Sequence, residues 1–332
     1  MALCYEVTIV VMVSRTSAAI FCVMGVFHPS HVGSGDSVQP RDTISVVQSV
    51  VPDPQGAMTV DIVGGDTFVR VQSHGATVLI PGYENEEYLK IDADGTVSIN
   101  VESISSFINS TRYGSPPPTN FVPTTFPRWK VIARNGTAMW HDHRSHWMSP
   151  KRPAVIDRSG TVLEWKIPIS VNGISTIVTG SLFLHHSASA LWWLFGLPFV
   201  VLAVLVASLK RQRTAELALV VSVVAMIVGA LEYFGLPSQA RVTPMMLGFA
   251  TLSAAIAAIA AWRKSNDATQ GALCAGAGLA MVILAWLLRE QVHRAYIPGL
   301  SAQWCARAVI VASLATGVVT ALAGVTKVIR PK

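Results

Sequence analysis

Hydrophobic positions along this chain follow two regimes. From about residue 37 to 186 they come in short alternating segments: TISVVQSVV, MTVDIV, TFVRVQ, ATVLI, EYLKI, TVSIN, WKVIA, TVLEWKIPI and STIVTGSLFL. Turn signals such as GGD and DADG separate them. Short runs rich in Val, Ile, Thr and aromatics, alternating with period two, predict half-buried strands, and many in succession predict an all-β sandwich. A stretch of about 150 residues is long enough to enclose its own core. GSPPPTNFVPTTFP, residues 114–127, cannot be a central strand because proline has no donor for a ladder; it reads as a long surface loop leading into RWKVIA.

After residue 186 the alternation gives way to long apolar runs, approximately 189–209, 217–236, 243–262, 269–288 and 307–326. Each is long enough to cross about 30 Å of hydrocarbon, so residues 187–332 read as a bundle of about five transmembrane helices. Composition agrees: 51% of residues are hydrophobic, 13% are charged, and the mean hydropathy is +0.47. The basic segments KRQR, RK and the tail KVIRPK carry eight Lys and Arg, against Arg241, Arg289, Arg294 and Arg307 at the other helix ends. By the positive-inside rule the tail is cytoplasmic and the β-domain extracytoplasmic, in a multi-pass protein of the cell membrane. Trp192 and Trp193 then fall at the outer interface. The net charge of +6 is a topology signal on this reading, not a nucleic-acid patch.

Residues 1–30 contain a short apolar run, roughly 17–27, behind Arg15, and read as a signal peptide or an uncleaved N-terminal anchor. The cysteines, at 4, 22, 274 and 305, form no CxxC pair and lie outside the β-region, which argues against a disulfide framework or a thiolate metal site.

The densest chemistry is WHDHRSHWM, Trp140 to Met148, which holds three of the nine histidines. If strand β-geometry continues through it, His141 and His143 share one face with Ser145 and Trp147, and Trp140, Asp142, Arg144 and His146 share the other. An i, i+2 histidine pair on a strand can chelate one ion, with copper first, since Met139 and Met148 flank the site, and zinc second. A third ligand is open among His146, His74, His31, Met148 and the His185–His186 pair. Cleavage after Ser30 would make His31 the N-terminal residue and resemble the histidine-brace copper sites of oxygenase subunits. The competing reading is structural: Asp142 pairs with Arg144, Trp140 and Trp147 pack, and the histidines bond to backbone carbonyls, docking the β-domain on the outer loops or on an envelope partner.

Elsewhere, Glu84, Glu86 and Glu87 read as a solvated acidic loop, and the sequons at Asn109 and Asn135 as turns. No nucleophile with an evident base, phosphate loop or HExxH occurs, so beyond the histidine cluster, which leaves a copper-dependent oxygenase-like subunit as a further alternative, the sequence carries no argument for an enzyme.

The stretches VLIPGYENEEYLKIDADGTVSIN, WHDHRSHWMSP and EWKIPISVNGISTIVTGSLFL together resemble a family of actinobacterial membrane proteins of unassigned function. Its members look like secreted, cupredoxin-like β-domains followed by C-terminal helices. The resemblance covers most of residues 60–185. It implies an Ig- or cupredoxin-like sandwich on a helical anchor and no particular activity.

Overall fold

The structure, a computed structural model, describes residues 38–122, 126–209, 213–241, 243–263 and 266–330. Its first half is a two-sheet antiparallel sandwich. One sheet has seven strands in the order β1 (Thr43–Val51), β10 (Ile174–Leu184), β9 (Thr161–Val171), β4 (Val78–Pro81), β5 (Glu87–Ile91), β6 (Val97–Asn100) and β7 (Trp129–Ala133). The other has three: β2 (Met58–Val63), β3 (Phe68–Ser73) and β8 (Thr137–Trp140). Alternation sets the inner faces. In β9, Trp165, Ile167, Ile169 and Val171 are buried while Glu164 and Lys166 face water. The core lies between the sheets, where Val69, Val71 and Trp140 of the small sheet meet Ile80, Leu89, Ile91 and Ile167 of the large one. Burying each such side chain stabilises the fold by about 1.5–3 kcal/mol. Residues 114–120 form no strand, as the prolines require.

The acidic loop behaves differently from the sequence expectation. Glu86 turns inward and accepts from Ser103 Oγ (2.6 Å), Ser105 Oγ (2.6 Å) and Ser105 N (3.1 Å). It thereby caps the short helix α1 (Ile104–Ile108) beside the N-cap Ser103. Burial pushes its carboxyl up, but these bonds outweigh it and hold the pKa below the usual value.

Among the described residues five helical segments are long and apolar enough to cross a membrane, as in an integral membrane protein. A 3₁₀ turn, Ala190–Gly196, runs into α2 (Leu197–Leu209); α3 (Thr214–Phe234), α4 (Met245–Trp262) and α5 (Asp267–Leu287) follow, and after the short α6 (Arg289–His293) comes α7 (Gln303–Ile329). The shortest, at 18 residues, spans about 27 Å at 1.5 Å per residue. In lipid the helices gain little from apolar burial and depend on close packing. A Cβ placed on Gly278 of α5 would lie 2.5 Å from Gly317 O of α7, and one on Gly324 would lie 2.5 Å from Gly271 O. Ser222 and Ser253 share a 2.8 Å hydrogen bond, and Ser253 donates to Ala277 O at 3.0 Å, stitching α3, α4 and α5.

The sandwich is fastened to one end of this bundle. Val38, Val63, Phe68 and Met139 bury themselves with Leu236 and Ala240 from the α3–α4 connection. Arg41 and Tyr296 exchange backbone hydrogen bonds of 3.0 and 2.8 Å. Asp42 accepts from Ala295 N (2.8 Å), Arg294 Nη1 (3.1 Å) and Ser187 Oγ (3.0 Å), while its carbonyl accepts from His185 N (2.8 Å). A Cβ on Gly65 would come within 2.9 Å of the Tyr296 ring, so a larger residue would lift the β2–β3 turn off the bundle. These contacts involve the α3–α4 and α6–α7 connections and the approach to Ala190. Arg213, Arg263 and Arg330 stand at the opposite helix ends. The bundle-facing end of the sandwich therefore comprises the start of β1, the β2–β3 turn and the ends of β8 and β10. The loop that leaves β8 is WHDHRSHWM.

Candidate functional site

Strand β8 stops at Trp140, and residues 143–145 form a turn. The expected alternation of faces through Met148 is therefore wrong, and with it the strand geometry by which His141 and His143 were to chelate as an i, i+2 pair. The cause is Asp142. Its carboxylate accepts from the Arg144 backbone N (3.0 Å) and its carbonyl from Ser145 N (2.9 Å) and Ser145 Oγ (3.0 Å), which closes the chain into an Asx-type turn in place of a ladder. The same fully buried carboxylate takes Trp140 Nε1 at 2.9 Å and both Nε (2.8 Å) and Nη2 (2.6 Å) of Arg144. Burial alone would raise the Asp142 pKa; the hydrogen bonds and charge of Arg144, with the Trp140 indole, more than reverse this and keep it ionised. The expected Asp142–Arg144 pair thus forms through a turn.

Tyr83 closes the other side. The Arg144 guanidinium lies 4.9 Å from the centre of its ring. The Tyr83 hydroxyl accepts from His143 N at 2.9 Å and donates to Asn109 Oδ1. Burial first, and then the Asp142 charge, hold this phenol protonated. Asn109, one of the two sequon asparagines, is consequently buried at the end of α1.

The three histidines of the motif gather behind this turn. His141 is buried, with Nδ1 2.8 Å from Thr67 O and its ring 4.4 Å from that of Phe68. His143 places Nε2 3.0 Å from Thr111 O. Because a carbonyl only accepts, these contacts put the protons on His141 Nδ1 and His143 Nε2. Gly114, at a φ of 81°, lets the Thr111–Gly114 turn press against His143, which a Cβ there would meet at 3.1 Å. His146 stands between them, its ring edge-on to His143 at 5.0 Å and to His141 at 6.2 Å. It is 1% exposed, and among the described residues neither of its nitrogens meets a hydrogen-bond partner. Burial, and then the neighbouring Arg112, lower its pKa to about 3, with Asp66 and the Trp147 backbone opposing and His143 adding to the fall. Burial likewise lowers His143.

Beneath His146 lies a second polar node that the sequence did not announce. Asp66, buried in the β2–β3 turn, accepts from Arg112 Nη2 (2.7 Å) and Thr43 Oγ1 (2.7 Å), with Arg41 Nε at 3.5 Å. Arg112 Nη2 also donates to Trp147 O at 3.2 Å. Arg41 belongs to the backbone bridge with Tyr296, so this node joins the motif to the bundle.

The remaining candidates lie elsewhere. His74 is exposed at the far end of β3, its backbone N bonded to Ala57 O, and does not reach the cluster. His185 and His186 are exposed in the link to α2. Met148 is 43% exposed, and Met139 is buried at the bundle interface rather than beside the imidazoles. Trp147 donates its indole N–H to Lys151 O at 2.7 Å. His31 and the signal or anchor segment lie outside the described residues. Among the described residues no group of three or more His, Cys, Asp and Glu side chains is arranged to hold a metal ion. Compared with known proteins, this chain matches no family model, no curated protein and no solved structure.

Proposed function

We propose that this is a multi-pass protein of the cell membrane that carries its β-domain as a rigid extracytoplasmic platform, a structural or assembly factor that docks an envelope partner. The observation that carries this reading is the double fastening of the domain. Asp42 grips the α6–α7 connection, and the Asp66–Arg112 node links the WHDHRSHWM turn to the same surface. Buried polar groups paired in this way specify one geometry more than they add stability. The orientation rests on the eight Lys and Arg near the helix ends that point away from the β-domain. Single cysteines at position 174 and in the 210–213 segment, probed in intact cells with a membrane-impermeant reagent, test it. Labelling at 174 alone is expected; labelling at 210–213 alone overturns the orientation.

A second reading, copper binding with zinc as the lesser candidate, is favoured by one specific feature. His141 and His143 each give a ring N–H to a backbone carbonyl, the arrangement that orients metal-bound imidazoles, and His146 between them is buried with both nitrogens unpartnered among the described residues. Metal content of the purified full chain beside its His146→Ala variant decides: equal, negligible uptake by both removes this reading and leaves the platform reading intact.

A further inference from the structure

At the bundle-facing end of the sandwich runs a largely exposed loop, Met148 to Arg158, that joins the motif to β9 and buries only Pro153. Met148, Val155 and Ile156 are 43%, 47% and 68% exposed. Lys151, Arg152 and Arg158 are exposed beside them. Among the described residues none of these three cations has a carboxylate within ion-pairing distance. Asp157, the acid of the stretch, is turned on its own chain: it accepts from Ser159 Oγ (2.6 Å), Ser159 N (2.9 Å) and Thr161 N (3.0 Å), and these bonds lower its pKa to about 2.

The height of this loop follows from its pairing. Ile156 N donates to Thr161 O at 2.7 Å, and Leu184 N donates to Gly160 O at 2.8 Å. Thr161 faces Phe183 across the β9–β10 ladder. Leu184 lies six residues before the first span begins at Ala190, and the next residue, His185, is bonded to Asp42, which holds Ala295 and Arg294 at the bundle end. The loop is thus level with the helix ends. Trp147 Nε1 to Lys151 O, and Lys151 N to Ser149 Oγ at 3.2 Å, fix its shape.

Exposed aliphatic side chains interleaved with unpaired cations at that level have the composition that settles into a headgroup layer, the apolar groups inserted and the cations at the phosphates. We propose that the Met148 to Arg158 loop is a lipid contact. Val155 and Ile156 enter the interfacial layer of the leaflet beneath the β-domain, and Lys151, Arg152 and Arg158 bind its anionic headgroups. The domain then rests on the bilayer as well as on the helices. The occupant is argued from continuity, since the bilayer that surrounds the spans extends directly under this loop, and from charge.

The test uses the full chain in a cysteine-free background, reconstituted in nanodiscs of phosphatidylcholine alone or with phosphatidylglycerol. A fluorophore on Ile156→Cys is compared with one on Ile174→Cys, at the opposite end of the same strands and 60% exposed. Eleven residues of strand β10 separate the two levels by about 35 Å. Severalfold less iodide quenching at 156 than at 174 is expected, with quenching at 156 by spin-labelled lipid that rises with phosphatidylglycerol. A Lys151→Glu, Arg152→Glu, Arg158→Glu variant should remove that rise. Equal iodide quenching at the two positions, or lipid quenching indifferent to headgroup charge, overturns the proposal. The 174 label in the same variants reports whether the domain stays folded.

Discussion

Acid should loosen the β-domain through one residue. His146 has a folded pKa of about 3, against about 6.5 in an unfolded chain. The folded domain therefore binds fewer protons than the unfolded chain between those values. Stability is unaffected above the unfolded pKa, falls as pH drops below about 6.5, and stops falling near the folded value. At pH 5 the loss amounts to 1.5 pH units at 1.36 kcal/mol each, about 2 kcal/mol relative to pH 7.5. For a domain of this size that lowers the melting temperature by about 4–8 °C. His143, shifted in the same direction by burial, adds to the slope. Thermal unfolding of the full chain in nanodiscs, followed by tryptophan fluorescence at several pH values, measures it beside a His146→Phe variant that cannot titrate at this site. The variant should have the flatter pH dependence by that amount. If the two curves fall in parallel from pH 7.5 to 5, His146 is not the group responsible and the reasoning fails.

Removing the centre of the turn should cost more. Asp142→Ala leaves the Arg144 guanidinium and the Trp140 indole facing no acceptor, with an expected loss of about 3–5 kcal/mol in denaturant unfolding, and Asp142→Asn should recover part of it. Tyr83→Phe, which loses the bonds to His143 N and Asn109, should cost about 1–2 kcal/mol by the same assay. Asp42→Ala should leave the sandwich folded but loosen the link to the first span, read as severalfold faster proteolysis between 185 and 190 with unchanged tryptophan emission. Gly278→Val should force α5 and α7 apart and destabilise the bundle by about 1–3 kcal/mol, seen as a lower melting temperature of the helical signal while the β-domain signal holds.

The strands and spans were legible because their signals are local and repeated. The Trp165, Ile167, Ile169, Val171 alternation and the uninterrupted apolar runs admit few other arrangements. The motif was misread at one point. Its residues alternate as a strand would, but an aspartate two positions before an arginine competes for the backbone N–H that a ladder needs, and the buried Asp142 wins that competition. Periodicity carries no trace of such a turn. Nor could it reveal Asp66 and Arg112, which meet across 46 positions because two separate turns come together only in the folded domain. Asp66 had been visible in GGD as a turn residue, not as a charge partner. Glu86 reads as a solvated acid in the sequence because its donors, Ser103 and Ser105, become a helix N-terminus only once α1 forms.

The pairing of Thr43 with Leu184 means that the sandwich begins and ends at one point of the membrane surface. A pull on the distal β9–β10 turn at Asn172 and Gly173 would travel down β10 to α2. β10 is held along both edges, by β1 on one side and β9 on the other. The load follows the covalent chain of β10, while the two antiparallel ladders that flank it hold the strand in register. The far tip is thereby joined to the first transmembrane helix by one continuous strand that is paired along both edges.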